Sequence, residues 1–239
     1  MSELRTENLT IRFGGLVAVN SVNLSLKSGE ILGIIGPNGA GKTTYINLIA
    51  GIYLPTEGRV FLDGEDITHV HAHVRSSMGI SRTFQLIHPL ENLSLLENVM
   101  TGFLFAQKMN VADARKSAAR LCMDLGLERL NRKTSNLNIL ETKKMEIAKA
   151  LANNPKVLFL DEVMAGLNST ETNEAIDLIK MIAQERGLAV GVVEHVMGVI
   201  SSLTSRVIVL DNGELIAEGP YSSVSQNERV KTAYLGGAV

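Results

Sequence analysis

The sequence predicts an α/β fold: a parallel core, a β-rich N-terminal part and an inserted helical lobe. Three observations carry this expectation. The apolar run Glu30-Ile-Leu-Gly-Ile-Ile35 leads through a glycine-rich loop into residues 43–50 of helical composition, which is the order strand, loop, helix. After residue 150, apolar runs at 157–160 and 188–193 flank an amphipathic stretch at 170–185, the alternation of a parallel sheet. Between these regions, residues 90–150 read as helical.

Each element has its own signal. Val22, Leu24 and Leu26 alternate with polar neighbours before Ser28-Gly29 turns the chain. Residues 59–62 and 66–67 flank Asp63-Gly64, a strong hairpin signal. Ser94-Leu-Leu-Glu97 forms a capping box, followed at helical spacing by Leu95, Leu96, Val99, Met100 and Phe103. A second helix covers 111–125 and ends at Gly126, and a third begins near Asn138. In the 170–185 helix, Ala175, Ile179 and Ile182 supply the buried stripe. A strand at 188–194 ends at His195, and 206–210 with 214–218 flank the turn Asp211-Asn-Gly213 as a final hairpin.

Composition narrows the functional classes. With 239 residues and 45% hydrophobic content, one large domain can build a substantial core. A net charge of −2 gives no bulk attraction to nucleic acid, so no nucleic-acid partner is expected. The lone Cys122 cannot form an internal disulfide, which suits a reducing compartment. Charge at the start of the chain, where a signal peptide has an apolar core, and apolar runs too short to cross a bilayer point to a soluble chain.

The chemistry begins at Gly36-Pro-Asn-Gly-Ala-Gly-Lys-Thr43, which satisfies G-x-x-x-x-G-K-[ST]. Glycines let successive backbone amides converge on phosphate oxygens, and the following helix adds its positive N-terminal end. Lys42 would reach the β and γ phosphates, and the Thr43 hydroxyl would join a Mg²⁺ shell. Val157-Leu-Phe-Leu-Asp161-Glu162 supplies a second half. A buried strand delivers two acids at its C-terminal end, where α/β folds bind ligands. Asp161 suits Mg²⁺, and Glu162 suits orientation and deprotonation of an attacking water. His195 is expected near the γ-phosphate, where it could hydrogen-bond phosphate or water. His69, His71 and His73 could share a face only if extended, and no acid or Cys completes a metal set, so they read as solvated surface residues.

With these motifs in this order, the chain resembles the ATP-binding cassette family over essentially its full length. The resemblance implies a P-loop NTPase fold: a RecA-like parallel core and N-terminal antiparallel β subdomain from residues 1–89 and 151–239, with a helical subdomain at 90–150. It implies ATP and Mg²⁺ as cofactors. Phe13 matches the aromatic that stacks on adenine. Gly36, Pro37, Asn38, Gly39, Ala40, Gly41, Lys42, Thr43 and Thr44 form the phosphate cradle, and Thr43, Gln85 and Asp161 the metal site. Gln85, in Arg82-Thr-Phe-Gln85, matches the glutamine linking nucleotide to helical lobe and membrane partner. Glu162 matches the catalytic glutamate and His195 the switch histidine. Phe13-Gly-Gly-Leu-Val-Ala-Val19, residues 79–85, Ala165-Gly-Leu-Asn168 and Ala233-Tyr-Leu-Gly236 look like the branched-chain amino acid importer ATPases.

Members work as dimers in which each ATP lies between one subunit's phosphate loop and the other's signature, commonly Leu-Ser-Gly-Gly-Gln. Here that segment is Leu137-Asn-Ile-Leu-Glu141. Branched Ile139 and Leu140 replace glycines that permit close backbone approach, and Glu141 places a negative charge near phosphate. Asn138-x-x-Glu141 is also a good capping pair, so the segment still starts a helix. Asn168, where many cassettes have Asp, and Val163, where Pro is usual, remove no catalytic group. The resemblance therefore implies an ATPase subunit of a membrane transporter, an importer of branched-chain amino acids or related small amides. It would act as an asymmetric heterodimer with a second cassette, on integral permease subunits, with a substrate-binding protein engaged indirectly. It would sit on the cytoplasmic face of the membrane, and 86–93 with Gln85 would form part of the docking groove. The alternative is a nucleotide-binding subunit with weak or partner-dependent hydrolysis. Soluble cassettes acting on DNA or ribosomes usually carry two cassettes or coiled-coil insertions, and neither is present.

Overall fold

A computed structural model describes residues 2–83 and 89–235 of the chain. At the N terminus, β1 (Glu3–Phe13) and β2 (Leu16–Lys27) pair as an antiparallel hairpin from Glu3↔Lys27 to Phe13↔Leu16, with register shifts between Thr6 and Arg12. Alternation, reset at those irregularities, buries Leu4, Leu9, Ile11, Val19, Val22, Leu24 and Leu26. β3 (Ile31–Ile35) is buried at every position, as expected for a central parallel strand, and α1 (Lys42–Ile49) follows it. β4 (Glu57–Leu62) and β5 (Glu65–Asp66) make the expected hairpin. Asp63 and Gly64 both take positive φ, 53° and 84°, the turn whose twist matches its strands. Ile67, expected in the second strand, lies one residue beyond it, buried, with its amide on Val60 O at 2.9 Å.

Next come α2 (Ala72–Met78) and β6 (Ile80–Arg82), neither with a strong sequence signal. α3 (Leu95–Phe105), α4 (Val111–Asp124) and α5 (Ile139–Leu151) then pack on one another. Each starts on a side-chain cap: Ser94, Asn110 and Asn138 accept from the amides of Glu97, Asp113 and Glu141. The chain continues with β7 (Val157–Asp161), α6 (Ser169–Arg186), β8 (Ala189–Val193), α7 (Met197–Leu203), β9 (Arg206–Asp211), β10 (Glu214–Gly219), α8 (Tyr221–Val224) and α9 (Glu228–Leu235). β8 stops at Val193, so Glu194 and His195 belong to the turn beyond it rather than to the strand. At that point the Val193 carbonyl takes the Glu162 amide, at 2.9 Å, and pairing with β3 ends at Ile34↔Val193.

Two sheets result. The smaller, in order β2-β1-β4-β5, is antiparallel. The larger, in order β10-β9-β3-β8-β7-β6, is parallel except for its β9–β10 edge pair. Helix α1 lies in the core that the small sheet shares with the large one: Tyr45, Ile46, Leu48 and Ile49 are fully buried there with Leu9, Leu26, Val60 and Phe159. Each such aliphatic side chain stabilises the fold by about 1.5–3 kcal/mol. Helices α3 to α6 join a second core on the other face, with Leu158, Leu160, Val190 and Val192.

The far end of α1 is fixed by a residue that no apolar pattern marks. Arg75 is the largest fully buried side chain. Its guanidinium donates to Leu48 O and Ile49 O at 2.8 Å each, to Thr68 O at 2.7 Å and to Val70 O at 2.8 Å. A cation thus caps the negative end of the helix whose other end meets the phosphate loop. Burial lowers its pKa to about 10, which leaves it charged at neutral pH.

Candidate active site

Strand β3 ends in the core and releases the chain into the loop 36–43 at the centre of the large sheet. Two glycines are dictated by contact as well as by torsion. Gly36, at φ 150°, would put a Cβ 2.1 Å from Leu210 O, and Gly41, at φ 97°, would put one 2.4 Å from Ala18 O. The loop is also tied by the Gly213 amide to Ala40 O at 3.0 Å. Gly41 is the N-cap of α1, and among the described residues that helix start has no side-chain cap. The positive end of α1 is therefore presented by backbone alone, the arrangement that binds phosphate.

Lys42 is buried, and its ammonium donates to Gly36 O at 2.8 Å and Pro37 O at 2.9 Å. Phosphate oxygens can replace these carbonyls without the side chain leaving the loop. Burial lowers its pKa, and the Glu162 and Asp161 carboxylates oppose that shift. Thr43 is exposed and Thr44 half-buried at the same helix start.

Asp161 and Glu162 leave β7 in different directions. Asp161 is 2% exposed; its amide donates to Thr83 Oγ1 at 3.1 Å and its Oδ2 lies 3.4 Å from Arg82 Nη2. Burial raises its pKa, with Arg82 acting against the rise. Its Oδ1 is buried and has no hydrogen-bond partner among the described residues. A buried carboxylate oxygen left unsatisfied is costly, so this donor set fits a divalent cation such as Mg²⁺.

Glu162 has φ 51°, a left-handed conformation that costs a non-glycine residue about 1 kcal/mol or more. Its amide donates to Val193 O at 2.9 Å, its carbonyl accepts from Lys143 Nζ at 3.1 Å and from the Ala165 amide at 3.3 Å, and its Oε1 lies 2.8 Å from His195 Nε2. In this conformation its carboxylate meets the exposed His195. Beside it, buried Glu194 accepts the Met164 amide at 2.8 Å, and burial raises the pKa of its carboxyl. A carboxylate paired to an imidazole at the rim of a phosphate cradle can hold a water and accept its proton.

The remaining expected residues fall in several places. Phe13, at the end of β1, is exposed and packs edge-on against Tyr53, with centroids 5.3 Å apart. Gln85, and with it residues 86–88 of the expected docking groove, lies outside the described residues. His69, His71 and His73 are exposed. At the signature position, the closed capping box is present. Asn138 Oδ1 accepts the Glu141 amide at 2.7 Å, and Glu141 Oε2 accepts the Asn138 amide at 2.9 Å. Arg132 then pairs with Glu141 Oε1 at 2.8 Å, so the Glu141 carboxylate is directed back into its own helix start. Ile139 is 53% exposed and lies over Gly166, whereas Leu140 packs towards the core.

Sequence reasoning did not find the parts played here by Lys143, Glu194, Arg82 and Tyr234. Tyr234, in the motif at 233–236, brings its hydroxyl near the Gly36 backbone; burial raises its pKa and the Gly36 amide acts against that rise. All four act through contacts between residues distant in sequence, which no local pattern reports.

Comparison with known proteins agrees with this geometry. Residues 19–165 match the family model described as ABC transporter, and residues 214–239 match that of the branched-chain amino acid ATP-binding cassette transporter. The chain is 35% identical to the high-affinity branched-chain amino acid transport ATP-binding protein BraF of Pseudomonas aeruginosa, covering 98% of each chain. It is equally similar to LivG of Escherichia coli K12, a protein of the same description, again over 98% of each. Among solved structures, the ADP conformation of the ATP-binding cassette MJ1267 superposes with a TM-score of 0.88 at 30% identity, covering 99% of both chains. A dimeric post-hydrolysis state of the cassette MJ0796, bound to ADP and Pi, gives 0.81 at 31% identity over 91% of this chain and 98% of that one. No described helix is long and apolar enough to cross a membrane, and membership of such a family implies both dimerisation and a membrane permease as partner. The chain belongs to the ABC transporter family, as one of its ATP-hydrolysing cassettes.

Proposed function

We propose that this chain drives import of branched-chain amino acids or related small amides, as one cassette of an asymmetric heterodimer attached through permease subunits to the cytoplasmic face of the membrane. A substrate-binding protein would deliver the cargo to those permeases. The observation that carries the catalytic part is the Glu162–His195 pair at 2.8 Å beside an intact phosphate loop. In this reading the adenine stacks on Phe13, and the backbone of 36–44 with Lys42 grips the phosphates. Glu162 accepts the proton of a water that attacks the γ-phosphate in line, ADP leaves as the bond to its β-phosphate oxygen breaks, and His195 holds the Glu162 carboxylate and the γ-phosphate in place. Thr43, Asp161 and Gln85 would hold Mg²⁺, which when bound neutralises phosphate charge. The cleft of ≈ 730 Å³ between α2, α3 and α5, floored by Arg82 and edged by the exposed Phe105, offers the permease a docking surface.

The closed cap at Asn138–Glu141 supports the heterodimer. Its two capping bonds occupy the helix start that a signature would turn towards the partner's phosphate. This chain's own ATP would instead meet the partner's signature. The test is Glu162→Gln in the transporter reconstituted with its permease and binding protein. Turnover and uptake of labelled leucine should both be lost while ATP stays bound. Continued hydrolysis would remove Glu162 from its role, and leucine-independent turnover in the parent would remove the substrate class.

A further inference from the structure

The loop that follows β7 is held at its backbone from two separate bodies. From the sheet side, Val193 O takes the Glu162 amide at 2.9 Å and the Glu194 carboxylate takes the Met164 amide at 2.8 Å. From the helical side, Lys143 Nζ, on the second turn of α5, donates at 3.1 Å to the Glu162 carbonyl, which also accepts the Ala165 amide of its own loop at 3.3 Å. Lys143 is half-buried; burial lowers its pKa, and the Glu194 and Glu162 carboxylates nearby act against that fall. The residue so held has φ 51°, a conformation that persists only where the surroundings over-determine it. Its carboxylate direction, and hence its 2.8 Å contact with His195, depends on that torsion.

We infer that Lys143 is a positioning residue for hydrolysis: by holding the Glu162 carbonyl it sets the aim of the Glu162 carboxylate, and it makes that aim depend on where α5 sits. The inference rests on the reading of Glu162 as the base. Helix α5 begins at Asn138, on the segment that would face the partner, and its side chains at Glu146 and Lys149 edge the cleft offered to the permease. A shift of α5 against the sheet, from either contact, is felt at the Glu162 carbonyl through this ammonium. A displacement of about 1 Å at a reacting group is enough to change rate by up to a hundredfold, so the lysine links lobe position to catalysis without touching nucleotide.

The experiment compares K143M, K143R and E162Q in the purified full chain, measuring ATP turnover at saturation, ATP affinity by equilibrium binding, and thermal unfolding. K143M should lower kcat about tenfold and leave ATP affinity within twofold, and K143R should recover most of the loss because it restores a cationic donor. A structural role alone would lower affinity and the unfolding temperature together, and that result overturns the inference. So does an unchanged kcat in K143M while E162Q is inactive. If E162Q itself still turns over, the underlying reading of Glu162 fails, whatever K143M does. Should K143M not fold, K143Q, which keeps a neutral donor of shorter reach, is expected to show the same kcat loss at retained affinity, and unchanged kcat there overturns the inference equally.

Discussion

Among the described residues, helix α1 begins on Gly41 with no side-chain cap, whereas α5 begins on Asn138 inside a closed capping box. In the proposed dimer both helices would point a positive N-terminal end towards a phosphate, α1 to this chain's own and α5 to the partner's. At α1 that end is presented by backbone and by Lys42, and an external anion can complete it. At α5 the anion is already supplied by the chain itself: Glu141 bonds the Asn138 amide, and Arg132 holds the carboxylate from behind. The contrast separates two properties that a helix start can have. An uncapped one is less stable alone and ready to bind; a capped one is stable alone and satisfied.

The largest effect is expected at the uncapped end. Lys42→Met removes a charge-assisted donor and should weaken ATP binding by about 2–3 kcal/mol, roughly a hundredfold. Equilibrium binding checks this, and the unfolding midpoint in denaturant should hardly change, because the ammonium bonds only loop carbonyls. The capped end should behave in the opposite way. Asn138→Ala should cost about 1 kcal/mol of stability, read from the denaturant midpoint, and leave this chain's own ATP affinity unchanged. Equal losses of binding in both variants would erase the distinction between the two termini.

Much of this contrast was legible in the sequence. The run into Gly36, the spacing of Lys42-Thr43 and the acids after the run 157–160 fixed the order of strand, loop and helix. Asn138-x-x-Glu141 announced its capping box as clearly as Ser94-x-x-Glu97 did. What stayed hidden depends on long-range contact. Arg75 is a charged residue in the short, polar α2, and only the folded chain shows that it closes the far end of α1. Lys143 reads as one of two surface lysines until α5 packs beside β7. The acid at Glu194 stood out beside His195, but its bond to the Met164 amide joins residues 30 positions apart. The short helices α7, α8 and α9 gave too little periodicity to be read, and so the contact of Tyr234 with Gly36 was out of reach.

The central claim is that this chain holds a competent phosphate site and presents a self-satisfied face to its partner. The most direct test is the ATP turnover of the purified chain alone, compared with the variant N138S/I139G/L140G/E141Q, which removes the box and restores backbone access. The account predicts slow turnover in the parent and a rise on the order of tenfold or more in the variant, despite the stability lost with the cap and with two glycines in the first turn. Turnover in the parent as fast as in the variant would contradict it.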